Sequence, residues 1–202
     1  MQQSLNPWIT SPAADSAAEE VPKTHVPPAA VISAPLRGMV EPDAADRLGR
    51  RTVSGSAALW ITGAHGGAGE SRIAELLDGA RIADHCWPVL QDGNKPRVLL
   101  VCRADMRGLT AARNALTQWV SGAAPELDLL GLAVLADAPG KTPKALRDFA
   151  ALVGGGAPRF WTLPWVEAWR HGDSTTPPAR EYQRFITDVA ALATDTTPST
   201  SN

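Results

Sequence analysis

The chain has 202 residues, with 19 Lys and Arg against 21 Asp and Glu and a net charge of −2. That balance leaves no basic footprint for nucleic acid, and no apolar run approaches the length that spans a bilayer. The start "MQQSLNPWIT" lacks the basic and apolar regions of a signal peptide, and Cys86 and Cys102 follow no metal or redox spacing. Together these features lead us to expect a reduced, cytoplasmic protein.

Residues 1–56 are dense in Pro, Ala, Ser and charge without helical or strand periodicity, which predicts a disordered arm. Its end holds a basic cluster, "RLGRR" from Arg47 to Arg51, read as a solvated linker in preference to a contact for an acidic partner. The span 194–202 reads as a disordered tail. Residues 57–193 are enough for one core.

Four strand-like runs alternate with four helical ones across that span. The strand "AALWIT" (57–62) enters a glycine-rich turn. The helix after it carries Ile73, Leu76, Leu77 and Ala80 on one stripe, with Gly79 fraying or capping its end. A polar connection, "DHCWPVLQDGNKP", leads to "RVLLVC" (97–102), whose continuous apolar character predicts a strand covered on both faces. A helix (109–120), the strand "LDLLGLAVLA" (127–136) and a helix (143–153) stopped by "GGG" follow. The last strand (159–165) is broken by Pro164, and a final amphipathic helix (179–193) aligns Tyr182, Phe185, Ile186, Val189 and Leu192. This alternation predicts an α/β fold of three layers, a mostly parallel sheet with helices on both sides.

The turn "GAHGGAGES" is where chemistry would lie. Successive backbone N–H groups and a following helix converge on one anion in phosphate-binding loops, and glycines let the backbone approach. His65, Gly66, Gly67, Ala68, Gly69, Glu70 and Ser71 fill the positions of H-G-G-A-G-E-S against K-G-G-x-G-K-[ST]. On this pattern the segment resembles the deviant phosphate loop of ParA/MinD ATPases, with His65 and Glu70 in place of the two lysines. "RVLLVCRADMRGLTAARNAL", "LLGLAVLADAP" and "FWTLPWVEAW" extend the likeness over roughly 58–172. The whole is similar to an uncharacterised actinobacterial set of shortened, degenerate ParA/MinD-like proteins of the sort carried by integrative and conjugative elements.

The resemblance implies a degenerate P-loop NTPase-like fold and a catalytically inactive accessory protein of a mobile or conjugative element. Such a protein works through a protein partner, and face-to-face homodimers occur among its relatives. It places Ser71 where a Mg²⁺-binding hydroxyl belongs, and Asp137 near a nucleotide base, with structural capping the alternative for Asp137. Trp165 and Trp169 either wall a base-like pocket, anchor a partner or simply pack. Arg103, Asp105 and Arg107 follow a strand end and face either the same crevice or solvent. Between the loop helix and "RVLLVC" there is no room for both switch strands and their aspartate element.

Glu70 decides the chemistry. At about 4 Å and an effective dielectric near 20, a unit charge pair is worth about 4 kcal/mol, so exchanging lysine for glutamate swings a phosphate contact by about 8 kcal/mol before solvent screening. Glu70 then serves as an internal carboxylate that occupies or screens the phosphate site. In the alternative, Glu70 and Ser71 hold Mg²⁺ and preserve ATP binding as a nucleotide switch or weak ATPase. His65 reads as a neutral histidine bonded to the backbone, or as a partial replacement for the lost charge when protonated.

Overall fold

Strand formation in the centre of this chain follows from runs that have no polar side to expose. A computed structural model describes residues 34–36, 38–173 and 179–194. In chain order the elements are a 3₁₀ turn (Ala44–Asp46), β1 (Gly49–Val53), β2 (Leu59–Gly63), α1 (Glu70–Glu75), β3 (Ala80–Ile82), β4 (Cys86–Leu90), β5 (Arg97–Arg103), α2 (Met106–Val120), β6 (Asp128–Leu135), α3 (Lys144–Gly154), β7 (Phe160–Leu163), α4 (Glu167–Arg170) and α5 (Arg180–Thr194). Five strands form one parallel sheet in the order β3-β2-β5-β6-β7.

Side-chain alternation sorts the sheet into two faces. Trp60, Val98, Leu100, Leu132 and Val134 pack with Leu109, Ala112 and Leu116 of α2 and with Val153 of α3. Ile61, Leu99, Val101, Ala133 and Leu135 pack with Ile73 of α1 and with Tyr182, Phe185 and Val189 of α5. The expected three-layer α/β arrangement is present. Between β5 and β6 the register shifts, so Leu130 is an extra residue opposite the Val98–Leu99 step. Among the described residues, no helix is long and apolar enough to cross a membrane.

Several boundaries differ from expectation. Helix α1 ends at Glu75, and Ala80, expected on its stripe, opens β3 instead. Helix α2 starts at Met106 rather than 109, because Asp105 caps it by accepting the Gly108 amide at 2.6 Å. The last strand stops at Leu163, before Pro164 removes a ladder donor.

The larger correction concerns the second sheet. Gly49–Val53, assigned to the arm and in part to its basic linker, pairs in parallel with Cys86–Leu90, which lies in the connection read as polar and turn-rich. That connection therefore contains β4, and β3 lies just before it. Val53 and Trp87 are buried in the core, and Gln118 clips the ribbon to α2. Its Oε1 accepts the Trp87 indole N–H at 2.9 Å and the Leu48 amide at 3.0 Å, while its Nε2 donates to the Leu48 carbonyl at 3.2 Å. The arginines of the cluster are also tied down. Arg47 pairs with Glu41, Arg50 donates to the Ala123 carbonyl, and Arg51 pairs with Asp84. The rest of the expected arm before Ala34, and the tail after Thr194, lie outside the described residues.

Replacing Gln118 by Leu strands the Trp87 indole and both Leu48 backbone groups. Each buried group left unpaired costs about 1–3 kcal/mol, so the urea midpoint should fall clearly at unchanged slope. An unaltered midpoint would mean that apolar packing alone holds the ribbon.

Candidate functional site

The glycine turn connects the end of β2 to α1. Its first glycine matters because of what lies over it. The Glu70 side chain folds back across the turn, and its Oε2 accepts the Gly63 amide at 2.7 Å. A Cβ built on Gly63 would sit 2.1 Å from that oxygen, so only glycine fits there. Glu70 is 5 % exposed, and Nδ1 of His85 lies 2.7 Å from the same oxygen. At that separation from a carboxylate the ring nitrogen carries the hydrogen. His85 follows Asp84 in a turn where both residues adopt positive φ, +56° and +51°. Sequence reasoning missed His85, since a histidine in an irregular connection carries no spacing signal.

The carboxylate is buried and serves the amide at the start of the turn. The amides of Gly66, Gly67 and Gly69 have no hydrogen-bond partner among the described residues. Gly69 enters α1 at φ +100°, and a side chain there would also meet Leu135. His65 is wedged between backbones. Its Nε2 accepts the Arg103 amide at 3.2 Å, which leaves the hydrogen on Nδ1, 2.9 Å from the Gly66 carbonyl. This is the neutral, backbone-bonded arrangement. Gly108 makes room for the ring, since a Cβ there would meet Nε2 at 2.8 Å.

Arg103, at the end of β5, lies across the turn. It donates to the carbonyls of Gly67 at 3.2 Å and Ala136 at 3.1 Å. Beyond it a crevice of about 330 Å³ opens at the carboxyl ends of β6 and β7, where open α/β sheets place ligands. Arg72, Arg103 and Arg170 line it together with Trp165, Trp169 and Tyr182, and no carboxylate among the described residues lines it. Arg72 lies 5.2 Å from the ring centre of Trp169, and Arg170 5.8 Å from that of Trp165. Trp169 packs edge-on against Tyr182 at 4.8 Å. The lining suits a planar anion.

Of the residues assigned to the site from sequence, the structure brings Trp165 and Arg103 to the crevice and gathers His65 to Glu70 at the turn. Asp137 is exposed past the end of β6, lines no part of the crevice and does not cap α3, whose cap is Pro143. Arg107 is exposed. Ser71 opens onto a different groove from the crevice. The residues do not fit a Mg²⁺–triphosphate. The turn carries no lysine, its one carboxylate is bonded inward, and no cluster of three metal-ligating side chains exists among the described residues.

Residues 57–185 match the model of a family of unknown function, DUF6668, and the chain belongs to that family. No curated protein and no solved structure matches the chain.

Gly63→Ala should destabilise the fold by about 1–3 kcal/mol through overpacking against Glu70. In a Glu70→Ala background the same change should cost less, by at least about 0.5 kcal/mol. Equal costs in both backgrounds would place the clash elsewhere.

Burial pushes the Tyr182 hydroxyl up to about 12, against the opposing charge of Arg103. Tyr182 donates to the Pro164 carbonyl at 3.1 Å and is the one tyrosine of the chain. An ultraviolet titration should therefore show tyrosinate forming near pH 12 in the folded protein. The folded state holds this proton more tightly than the unfolded chain, whose tyrosine titrates near 10. Its contribution to stability is therefore complete below pH 10 and is lost as pH rises toward 12. Ionisation near 10 with the fold intact would mean that the hydroxyl is open to water.

Proposed function

We propose that the chain is a catalytically inactive ParA/MinD-like accessory protein, a protein-interaction or regulatory component of an actinobacterial mobile or conjugative element, acting in the cytoplasm. The observation that carries the inactive reading is the Glu70 carboxylate, buried and bonded to the Gly63 amide and to His85 where a nucleotide-hydrolysing loop needs a cation. Phosphoryl transfer depends on positioned positive charge, and this turn supplies a negative one instead. The role in element transfer or maintenance rests on the resemblance of the glycine turn and of "LPWVEAW" alone. Face-to-face pairing of two copies is part of the same resemblance.

A residual ligand site at the turn is compatible with this reading. The unpaired amides of Gly66, Gly67 and Gly69 and the guanidinium of Arg103 favour an anion beside the crevice. They also support the second reading, a nucleotide switch, although a Mg²⁺ site on Glu70 and Ser71 would first require the carboxylate to leave Gly63 and His85.

Calorimetric titration of ATP, ADP and GTP, with and without Mg²⁺, separates the two. Wild type should give no binding heat. Glu70→Lys should gain at least about 100-fold in affinity, or about 2.8 kcal/mol. Mg²⁺-dependent binding by wild type that disappears in Ser71→Ala would overturn the inactive reading and establish a switch.

A further inference from the structure

Strand β3 is the outer strand of the five-stranded sheet and bonds to β2 alone. The Gly79 carbonyl accepts the Ala58 amide, and the Ala83 amide donates to the Ile61 carbonyl. Backbone groups alternate along a parallel strand, so those of Gly79, Arg81 and Ala83 face β2 and those of Ile82 face outward. Neither the Ile82 amide nor its carbonyl has a partner among the described residues. Ile82 is also one of the exposed large apolar side chains.

A groove of about 670 Å³ follows this edge. One wall is α1, presenting Ser71 and Ala74 on the Ile82 side. The other is the end of β1, with Arg81 and Trp60 beneath it. Trp60 is 2 % exposed, and its indole N–H is the buried side-chain donor without a partner among the described residues. Arg81 lies 5.2 Å from the centre of that ring and donates to the Ser54 carbonyl, but meets no carboxylate among the described residues. Its charged neighbours are already matched, Arg51 with Asp84 and Glu75 with Arg72.

We propose that this edge takes up an extended segment of a partner protein as a sixth strand, with an acidic side chain of that segment set against Arg81. Main-chain bonding to Ile82 supplies the affinity, and the face bearing Arg81 supplies the selectivity, since an acidic side chain there meets a cation set over the buried Trp60 ring. Strand addition also covers the apolar Ile82. The assignment shares with the proposed function only the premise of a protein partner. The glycine turn takes no part in it.

The test uses the full chain, isotope-labelled for amide and indole NMR signals, and two capped peptides, TVTEVTV and TVTKVTV. The acidic peptide should shift the Ile82 amide and the Trp60 indole saturably, and should bind at least about 10-fold more tightly than the lysine peptide. Methylating the peptide amide nitrogens that face Ile82 should abolish the shifts, and Arg81→Glu should invert the preference. If Arg81→Glu does not fold, the methylated peptide still decides on wild type. Absence of binding, equal binding of both peptides, survival of binding after methylation, or shifts confined to other residues would each overturn the assignment. Nucleotide titrations do not bear on this outcome, so its failure is distinguishable from failure of the inactive reading.

Discussion

Between Arg97 and Arg103, strand β5 has no polar side chain, and every residue between those two is fully buried. A strand of this kind must be covered on both faces, and the rest of the domain arranges itself to do so. Helices α2 and α3 close one face and α1 and α5 the other. The two arginines mark where the sheet meets solvent. Arg97 at the entry bonds to the end of α5, and Arg103 at the exit reaches the glycine turn. The core thereby fixes which end of the sheet carries the turn and the crevice.

At that end a single carboxylate governs the local geometry. Glu70 is one of few buried polar side chains among the described residues, and burying a charge is tolerable only where donors surround it. Gly63 supplies one donor and His85 another. The arrangement also explains why Gly63 has no side chain. His65 meets its needs by bonding the backbone of the turn and of β5. The glycine turn is thus partly self-satisfied, while Arg103 and the arginine-lined crevice keep a positive field beside it.

The ribbon of β1 and β4 follows a different logic. It forms no part of the main sheet and is held by side-chain bonds from Gln118 and by the burial of Trp87 and Val53. Its placement leaves β3 as an edge with a groove beside it. The molecule accordingly presents two separate surfaces, a cationic aromatic crevice at the strand ends and an unpaired strand edge at the side.

The sequence by itself determined the central strands, the flanking helices and the parallel topology, because apolar runs and helical stripes are local signals of what must be buried. It also located the glycine turn and Glu70 within it. Only the tertiary structure decided where that carboxylate points, because its partners are the amide of Gly63 and the ring of His85, which lies in the turn between β3 and β4. The strands around Arg51 and Pro88 were illegible for a related reason. Each pairs with the other and meets Gln118 and the core only in the folded chain, and neither basic residues nor a proline within a short run signals a strand. The crevice was half legible. "LPWVEAW" marked a strand end rich in tryptophan, but Arg72 and Tyr182 reach it from helices distant in sequence. Local pattern fixes which residues must be buried, whereas the pairing of polar groups across distant elements exists only once the chain has folded.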